Sequence, residues 1–222
     1  MISEALAAST KFKQWKASIE ASGLEIHNIE EKYSRIWHGD QVLFSVVMLD
    51  ATTPEGKKIP PICFLKGRVS CVMVVLIDEA TGDRYNLLVK QRRICNGDFI
   101  YEQVAGLVDE GEEPHAVAVR EVEEETGITV TPEQVIPLNQ DPIYPATGTS
   151  DESMYFFYVE LTMSKEKIMS YDQNETGIAA EHEQIFTQVT TLPEAYHLIK
   201  NTNGLHNMTL YFQHKGEWQL PS

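Results

Sequence analysis

The feature that most constrains this sequence of 222 residues is an acidic segment from Ala105 to Ile128, AGLVDEGEEPHAVAVREVEEETGI. Pro114 stands where a first helical residue is favoured, and Gly127 stands where a helix ends. The segment therefore predicts a helix over residues 114–126, preceded by an acidic loop.

Glutamates crowd one face of this predicted helix. Glu121, Glu124 and Glu125 are spaced i, i+3, i+4, so their side chains are neighbours, whereas Glu123 points to solvent. Like charges at this spacing cost a few tenths of a kcal/mol per pair, and the helix macrodipole disfavours them near the C-terminus. Two interpretations follow: a solvated surface, as most charge runs are, or a site where a hard divalent cation offsets the repulsion.

The spacing of this segment distinguishes the two interpretations. Gly106 is followed after five residues by Glu112, and after seven more by the run from Arg120 to Ile128, REVEEETGI. This pattern matches every fixed position of the Nudix box, G-x5-E-x7-R-E-U-x-E-E-x-G-U, where U is aliphatic. The chain thus resembles the Nudix hydrolases, which implies an α+β Nudix fold, an α/β/α sandwich with a mixed sheet. The β-type runs within residues 36–65 predict a small N-terminal β-rich subdomain in addition.

The resemblance also implies a metal site. Mg²⁺, or alternatively Mn²⁺, is the implied cofactor, because the family uses this loop and helix to bind such ions at a diphosphate. The implied metal ligands are the Ala105 carbonyl, Glu121, Glu124, Glu125 and, in a later loop, Glu183. The implied structural residues are Gly106, Glu112, Arg120 and Gly127.

The run from Gln91 to Gly106, QRRICNGDFIYEQVAG, resembles the ADP-ribose and ADP-sugar pyrophosphatase branch of the family. In that branch an arginine and a glutamate help to bind substrate, and Arg93 and Glu102 match them. Arg92 is the alternative to Arg93, because adjacent strand residues face opposite ways. Glu102 could also simply pair with one of these arginines.

Two later segments extend the resemblance. YPATGTSDE, residues 144–152, resembles the P-x-x-G-x-x-[DN/S]-E loop of the branch, and AEHEQI, residues 180–185, resembles its late acidic loop. In the late loop Glu181 matches a candidate general base. Some members use the box glutamate that matches Glu121 instead. The catalytic candidates are therefore Glu181, Glu121 and Glu124.

The activity implied by this branch is Mg²⁺-dependent hydrolysis of ADP-ribose or ADP-glucose to AMP and a sugar phosphate. One position departs from the branch pattern: Tyr144 stands 16 residues past the box, where a proline is usual, and Pro145 follows one step later. A tyrosine there is associated with dinucleoside polyphosphate hydrolases. A slip of one residue is the favoured interpretation, because Pro145 carries the following Gly148 and Glu152 with it. Hydrolysis of UDP-sugars or dinucleoside polyphosphates is the alternative activity, and a nucleotide-sugar sensor with a Nudix fold but no turnover is an alternative from a different class.

The net charge of −15 bears on the partners. It argues against binding a nucleic acid backbone or an anionic membrane over a broad face, because both need clustered Lys and Arg. A small nucleoside diphosphate sugar is compatible with this charge if cations lie between substrate and protein. Nearly half of the excess, −7, falls within residues 109–125, as expected for a cation site.

The remaining chain reads as an α+β arrangement, because helices and strands are mixed without regular alternation. A boundary near residues 66–68 divides an N-terminal subdomain, 1–67, from a main domain, 68–222, and the resemblance implies that the subdomain pairs two chains as a homodimer. Predicted helices cover 9–23, 114–126, 165–171 and about 192–204; predicted strands lie within 36–65 and over 70–77, 85–91, 99–104, 153–161 and 184–189.

Cysteine content points to a reducing compartment. Cys63, Cys71 and Cys95 are odd in number and widely spaced, which fits neither a disulfide framework nor a zinc site. The N-terminus shows no basic stretch followed by an apolar one, and the apolar runs are too short to span a bilayer. We therefore expect a cytoplasmic protein.

Overall fold

The computed structural model describes residues 1–37, 39, 41–177 and 184–217. The chain forms two compact units. The first comprises Met1–Arg68, Val108–Gly111 and Ile143–Ser153, and the second comprises Val69–Leu107, Glu112–Pro142 and Met154–Ser222. The first unit thus includes two segments from beyond residue 67, and the division into domains 1–67 and 68–222 stays a prediction.

The first unit consists of two helices and a three-stranded sheet with strand order β1-β2-β3, in which both pairs are antiparallel. Its elements are α1 (Glu4–Ala8), α2 (Thr10–Ala21), β1 (Glu25–Ile36), β2 (Val42–Thr52) and β3 (Ile62–Leu65). The helix expected within 9–23 is confirmed. Strand β1 was not predicted, since its sequence, EIHNIEEKYSRI, lacks an apolar alternation.

The core of this unit lies on one face of the sheet. Val47 of β2 and Leu65 of β3 are fully buried in a cluster with Leu6 of α1 and Phe12 of α2. Alternate side chains of a strand point to opposite faces. The other face of β2, which carries Val46, is only half-buried.

The second unit is built on a sheet with strand order β10-β11-β5-β4-β9-β8, to which β6 adds by pairing with β5 and β7 by pairing with β4. Its strands are β4 (Arg68–Asp78), β5 (Arg84–Arg92), β6 (Phe99–Glu102), β7 (Val104–Leu107), β8 (Ile136–Pro137), β9 (Ser153–Met163), β10 (Glu175–Thr176) and β11 (Ile185–Thr191). Its helices are α3 (Pro114–Thr126), a 3-10 turn (Pro132–Gln134), α4 (Lys165–Met169), α5 (Leu192–Leu198) and α6 (Thr202–His214).

Helices cover both faces of this sheet, as the alternating side chains of β4 show. Val74 is buried in a cluster that contains Val122 of α3, whereas Val75 is buried in a second cluster that contains Met208 of α6. A strand buried on both faces reads as a continuous apolar run, as the sequence VSCVMVVLI does. The α+β expectation, with a helix–sheet–helix sandwich, is confirmed. No helix in the described part of the chain is long and apolar enough to cross a membrane.

Two predicted elements are wrong in their extent. The final helix, expected to end near Gly204, is two helices, because the chain leaves α5 at Ile199 and starts α6 at Thr202. Gly204 lies inside α6 and does not end it. The single strand expected over 99–104 is interrupted at Gln103, where the chain passes from β5 to β4 as its pairing partner.

Candidate active site

Helix α3 begins and ends where the sequence predicts. Pro114 occupies the first turn, where a missing backbone N–H has no cost. At the other end Gly127 adopts φ 71°, and its N–H donates to the Glu123 carbonyl at 2.8 Å. Only glycine takes this left-handed conformation without strain, so the helix ends directly after its carboxylates.

The packing of α3 determines which carboxylates are enclosed. Ala118 and Val122 are fully buried against the sheet. As a result Glu121 and Glu125 are only 8% and 4% exposed, Glu124 is half-buried, and Glu123 faces solvent as expected.

Strand β7 lies directly against these carboxylates. The Ala105 N–H donates to Glu125 Oε2 at 3.0 Å. A Cβ placed on Gly106 would lie 1.9 Å from Glu121 Oε1 and 2.0 Å from Glu121 Cδ, so no side chain fits at this position. The two residues that precede the acidic loop thus hold one carboxylate and make room for another.

Arg120 links the loop to the helix. Its Nη1 lies 2.9 Å from Glu124 Oε2 and 3.0 Å from Glu121 Oε1, and its Nη2 lies 3.3 Å from Glu112 Oε2. Partial burial alone would lower the pKa of Arg120, but the carboxylates of Glu121, Glu124 and Glu112 outweigh this effect and raise it. Arg120 therefore stays charged and neutralises part of the acidic cluster.

The chemistry of this cluster fits a hard divalent cation. Among the described residues, no group of three or more His, Cys, Asp or Glu side chains is arranged so that it could hold a metal ion as it stands. Three carboxylates on one face of α3, two of them almost enclosed, nevertheless provide the oxygen donors that Mg²⁺ prefers. Glu121, Glu124 and Glu125 are the side chains that would hold the ion.

The expected substrate-binding residues, Arg93 and Glu102, precede Gln103, the residue at which the strand is interrupted. Gln103 is 1% exposed and forms a reciprocal amide pair with Asn86 of β5: its Nε2 donates to Asn86 Oδ1 at 2.7 Å, and Asn86 Nδ2 donates to Gln103 Oε1 at 3.1 Å. This pair secures the point where the chain passes from β6 to β7. Glu102 is thereby held beside β5, and Ala105 beside β4.

Arg93 and Glu102 form an ion pair, with Arg93 Nε 2.5 Å from Glu102 Oε2. The Glu102 side chain is only 12% exposed, whereas that of Arg93 is 41% exposed. Arg92 contacts the hairpin instead: its Nη1 donates to the Gly97 carbonyl, and its guanidinium lies 4.5 Å from the centroid of the Phe99 ring. Of the two arginines, Arg93 is the one that pairs with Glu102.

The loop over residues 144–152, which resembles a loop of the branch, belongs to the first unit. There Asp151 accepts from the N–H of Lys66 at 2.7 Å and of Gly67 at 3.2 Å. Burial raises the pKa of Asp151 although these donors oppose the shift. Lys66 Nζ also pairs with Glu152 at 2.5 Å, so the two acids hold the loop to the end of β3.

Two predicted site residues, Glu181 and Glu183, lie outside the described residues. Conversely, sequence reasoning missed Asn201, whose Nδ2 donates to Glu102 Oε1 at 2.7 Å. An asparagine before Thr202 is a signal for a helix start, but the sequence prediction places a helix end at Gly204, which excludes a helix that starts at Thr202.

Comparison with known proteins identifies relatives of this chain. The model of the NUDIX domain matches residues 67–211. Nudix hydrolase 14, chloroplastic, from Arabidopsis thaliana is 32% identical over 164 residues, which are 70% of this chain and 52% of the plant protein. ADP-ribose pyrophosphatase from Bacillus subtilis (strain 168) is 31% identical over 137 residues, 62% of this chain and 68% of the bacterial one.

A solved structure shares the fold. The crystal structure of an ADP compounds hydrolase superposes with a TM-score of 0.58 at 16% identity, covering 87% of this chain and 96% of that one. The protein belongs to the Nudix family, and the resemblance to its ADP-ribose and ADP-sugar branch is supported. The chain spans about half the length of its plant relative.

Proposed function

We propose that this protein is an Mg²⁺-dependent hydrolase of nucleoside diphosphate sugars, which cleaves the pyrophosphate of ADP-ribose or ADP-glucose to AMP and a sugar phosphate. The observation that carries the proposal is the enclosed carboxylate face of α3 beside Ala105 and Gly106. The relative named ADP-ribose pyrophosphatase supports the substrate class, and the relative named Nudix hydrolase 14 supports hydrolysis.

Glu121, Glu124 and Glu125 would hold the metal, together with the Ala105 carbonyl and Glu183. Bound Mg²⁺ supplies charge neutralisation for the pyrophosphate and lowers the pKa of water. The chain itself holds the ligands in place: the Ala105 N–H orients Glu125, and Arg120 pairs with Glu121 and Glu124. Mn²⁺ has the same oxygen preference and is the alternative ion.

Arg93 and Glu102 would bind the substrate. The partly exposed guanidinium of Arg93 can contact a phosphate or a base, while the nearly enclosed Glu102 carboxylate fixes its direction. For the general base we propose Glu181, with Glu121 as the box alternative and Glu124 as a further catalytic carboxylate.

The decisive experiment measures AMP release from ADP-ribose and ADP-glucose with and without Mg²⁺. Glu125→Gln should lower kcat by about 10²-fold or more, because it removes one ligand charge from an enclosed site. Glu123→Gln is the matched control, since it makes the same change on the exposed face of α3 and should leave activity within about twofold. Equal activity of the two variants would contradict the metal site.

The same assay separates the remaining possibilities. Comparing Glu181→Gln with Glu121→Gln as a function of pH identifies the base, because loss of the base removes the acidic limb of the rate profile. Faster hydrolysis of UDP-sugars or dinucleoside polyphosphates than of ADP-ribose and ADP-glucose would assign the protein to a different substrate class. Tight ADP-ribose binding without any AMP release would show a sensor.

We also propose a homodimer paired through the first unit. Tyr33, Val46 and Phe64 lie side by side in register across β1, β2 and β3. They form a row on the face opposite the helices, where Tyr33 and Ile62 are more than half exposed. A twofold axis would bring this apolar face against the same face of a second copy and bury both from water.

Light scattering should give twice the chain mass of 25.1 kDa. Val46→Glu should yield monomers, whereas Lys57→Glu in the loop after β2 should not. A monomeric wild type would overturn the dimer.

For location we keep the cytoplasm as our proposal: all three cysteines are free thiols, although the plant relative is named as chloroplastic.

A further inference from the structure

Glu102 is held from two elements. Arg93 Nε pairs with its Oε2, and Asn201 Nδ2 donates to its Oε1 at 2.7 Å. A carboxylate that is 12% exposed and bonded through both oxygens has little freedom to turn. Its direction in turn determines that of the Arg93 guanidinium.

The orientation of the Asn201 amide follows from its two partners. Its Oδ1 accepts from the Gly204 N–H at 3.0 Å and caps helix α6. A backbone N–H only donates and a carboxylate only accepts, so the NH₂ group must face Glu102. One side chain thus joins the start of α6 to the expected substrate site.

The backbone around Asn201 is built for this contact. Tyr101 of β6 pairs with Ile199 in a parallel bridge, which brings the linker between α5 and α6 alongside the strand that ends at Glu102. A Cβ on Gly204 would lie 2.6 Å from Asn201 Oδ1 and 2.8 Å from Ile199 Cγ2. Glycine is therefore required at position 204 so that Asn201 can reach the helix start.

We propose that Asn201 is a positioning residue of the substrate site: its amide holds Glu102, and through Glu102 it aims Arg93 at the substrate. The inference rests on the proposed function, in which Arg93 and Glu102 bind the nucleotide sugar. Asn201 acts on substrate affinity and leaves the metal-binding face of α3 unchanged.

The test uses Asn201→Asp and Asn201→Ser. Aspartate keeps the size and the helix cap but replaces the donor with a second acceptor beside Glu102, and serine keeps a capping oxygen without the reach. KM for ADP-ribose should rise about five- to tenfold in both, with kcat within about twofold. Ser164→Asp, which makes the same change of charge at the N-cap of α4, should change neither constant.

A second measurement does not depend on turnover. The Arg93 Nε–Hε signal in ¹⁵N NMR spectra, identified by its loss in Arg93→Lys, should shift and exchange faster with water in both Asn201 variants. Gly204→Ala should reproduce the shift, because its methyl group displaces Asn201. An unchanged Arg93 signal in all of these variants would overturn the inference, as would a fall in kcat with constant KM. Absence of hydrolysis by the wild type would overturn only the proposed function, and the Arg93 signal would still decide the role of Asn201.

Discussion

Glu121 lies so close to Gly106 that the position of a Cβ on Gly106 is already filled by the Glu121 side chain, with Oε1 at 1.9 Å. A glutamate of the helix thus occupies the space that any other residue would need for its own side chain. The glycine of the motif is required here by steric exclusion, whereas at Gly127 it is required by a positive φ.

We expect Gly106→Ala to lower the free energy of unfolding by about 1–3 kcal/mol, because the methyl group must displace an enclosed carboxylate. Activity should fall as well, since Glu121 is moved. A double-mutant cycle with Glu121→Ala, measured by chemical denaturation, checks the cause. The cost of Gly106→Ala should largely disappear once Glu121 is truncated, and an undiminished cost would contradict the steric explanation.

Arg120→Gln should lower the free energy of unfolding in EDTA by about 1 kcal/mol. It removes a partly exposed cation from three carboxylates, and their repulsion then increases. Mg²⁺ should raise the Tm of this variant more than that of the wild type, because the ion replaces the missing charge. Lys16→Gln, which breaks the exposed pair with Glu20, is the control and should cost less than about 0.5 kcal/mol. Identical Mg²⁺ shifts in variant and wild type would refute this account.

Gly127→Ala should destabilise the protein by about 1 kcal/mol, and Gly127→Asn by less, because asparagine tolerates the left-handed conformation better. The matched control is Gly216→Ala, which has the same φ of 71° after helix α6. Both alanine variants should lose similar stability, but only Gly127→Ala should reduce hydrolysis, because it alters the end of α3. Equal activities would show that the end of α3 does not influence the carboxylates.

Alkaline pH should weaken the fold through Cys71. Burial raises the pKa of its thiol from the usual 9.0 to about 12, with the Glu102 and Glu125 charges acting in the same direction. The unfolded chain releases this proton first, so the contribution is complete below pH 9 and decreases as pH rises toward 12. The stability advantage of the wild type over Cys71→Ala should therefore shrink by up to about 1.4 kcal/mol per pH unit in that range.

Cys63→Ala should behave in the same direction, since burial likewise raises the pKa of Cys63 to about 12. Urea denaturation at pH 7, 9 and 10 measures both differences. A stability gap that grows with pH would contradict the burial of the thiols.

Local signals sufficed to predict helix α3. Pro114 and Gly127 mark its ends through the conformations that their own backbones favour, and the i, i+3, i+4 spacing places its glutamates on one face. The same holds for the apolar strands β4 and β5, whose residues alone indicate their burial. The metal-binding role of this helix, predicted from the spacing of the motif, stays a prediction for the experiments above.

Other features depend on contacts between residues distant in the chain. Strand β1 is polar and forms because β2 provides its hydrogen-bonding partner. The strand interruption at Gln103 is stabilised by the hydrogen bonds of Gln103 with Asn86. The cap of α6 by Asn201 depends on the absence of a side chain at Gly204.

By itself, the sequence thus determined which residues form the acidic helix and which family the motif indicates. The tertiary structure alone decided that Asn201 donates to Glu102 and that Arg93 rather than Arg92 pairs with Glu102. It also decided that the Glu121 side chain occupies the space beside Gly106. Such pairings combine positions up to 99 residues apart, and no local propensity encodes them, because each depends on how the sheet and its covering helices pack.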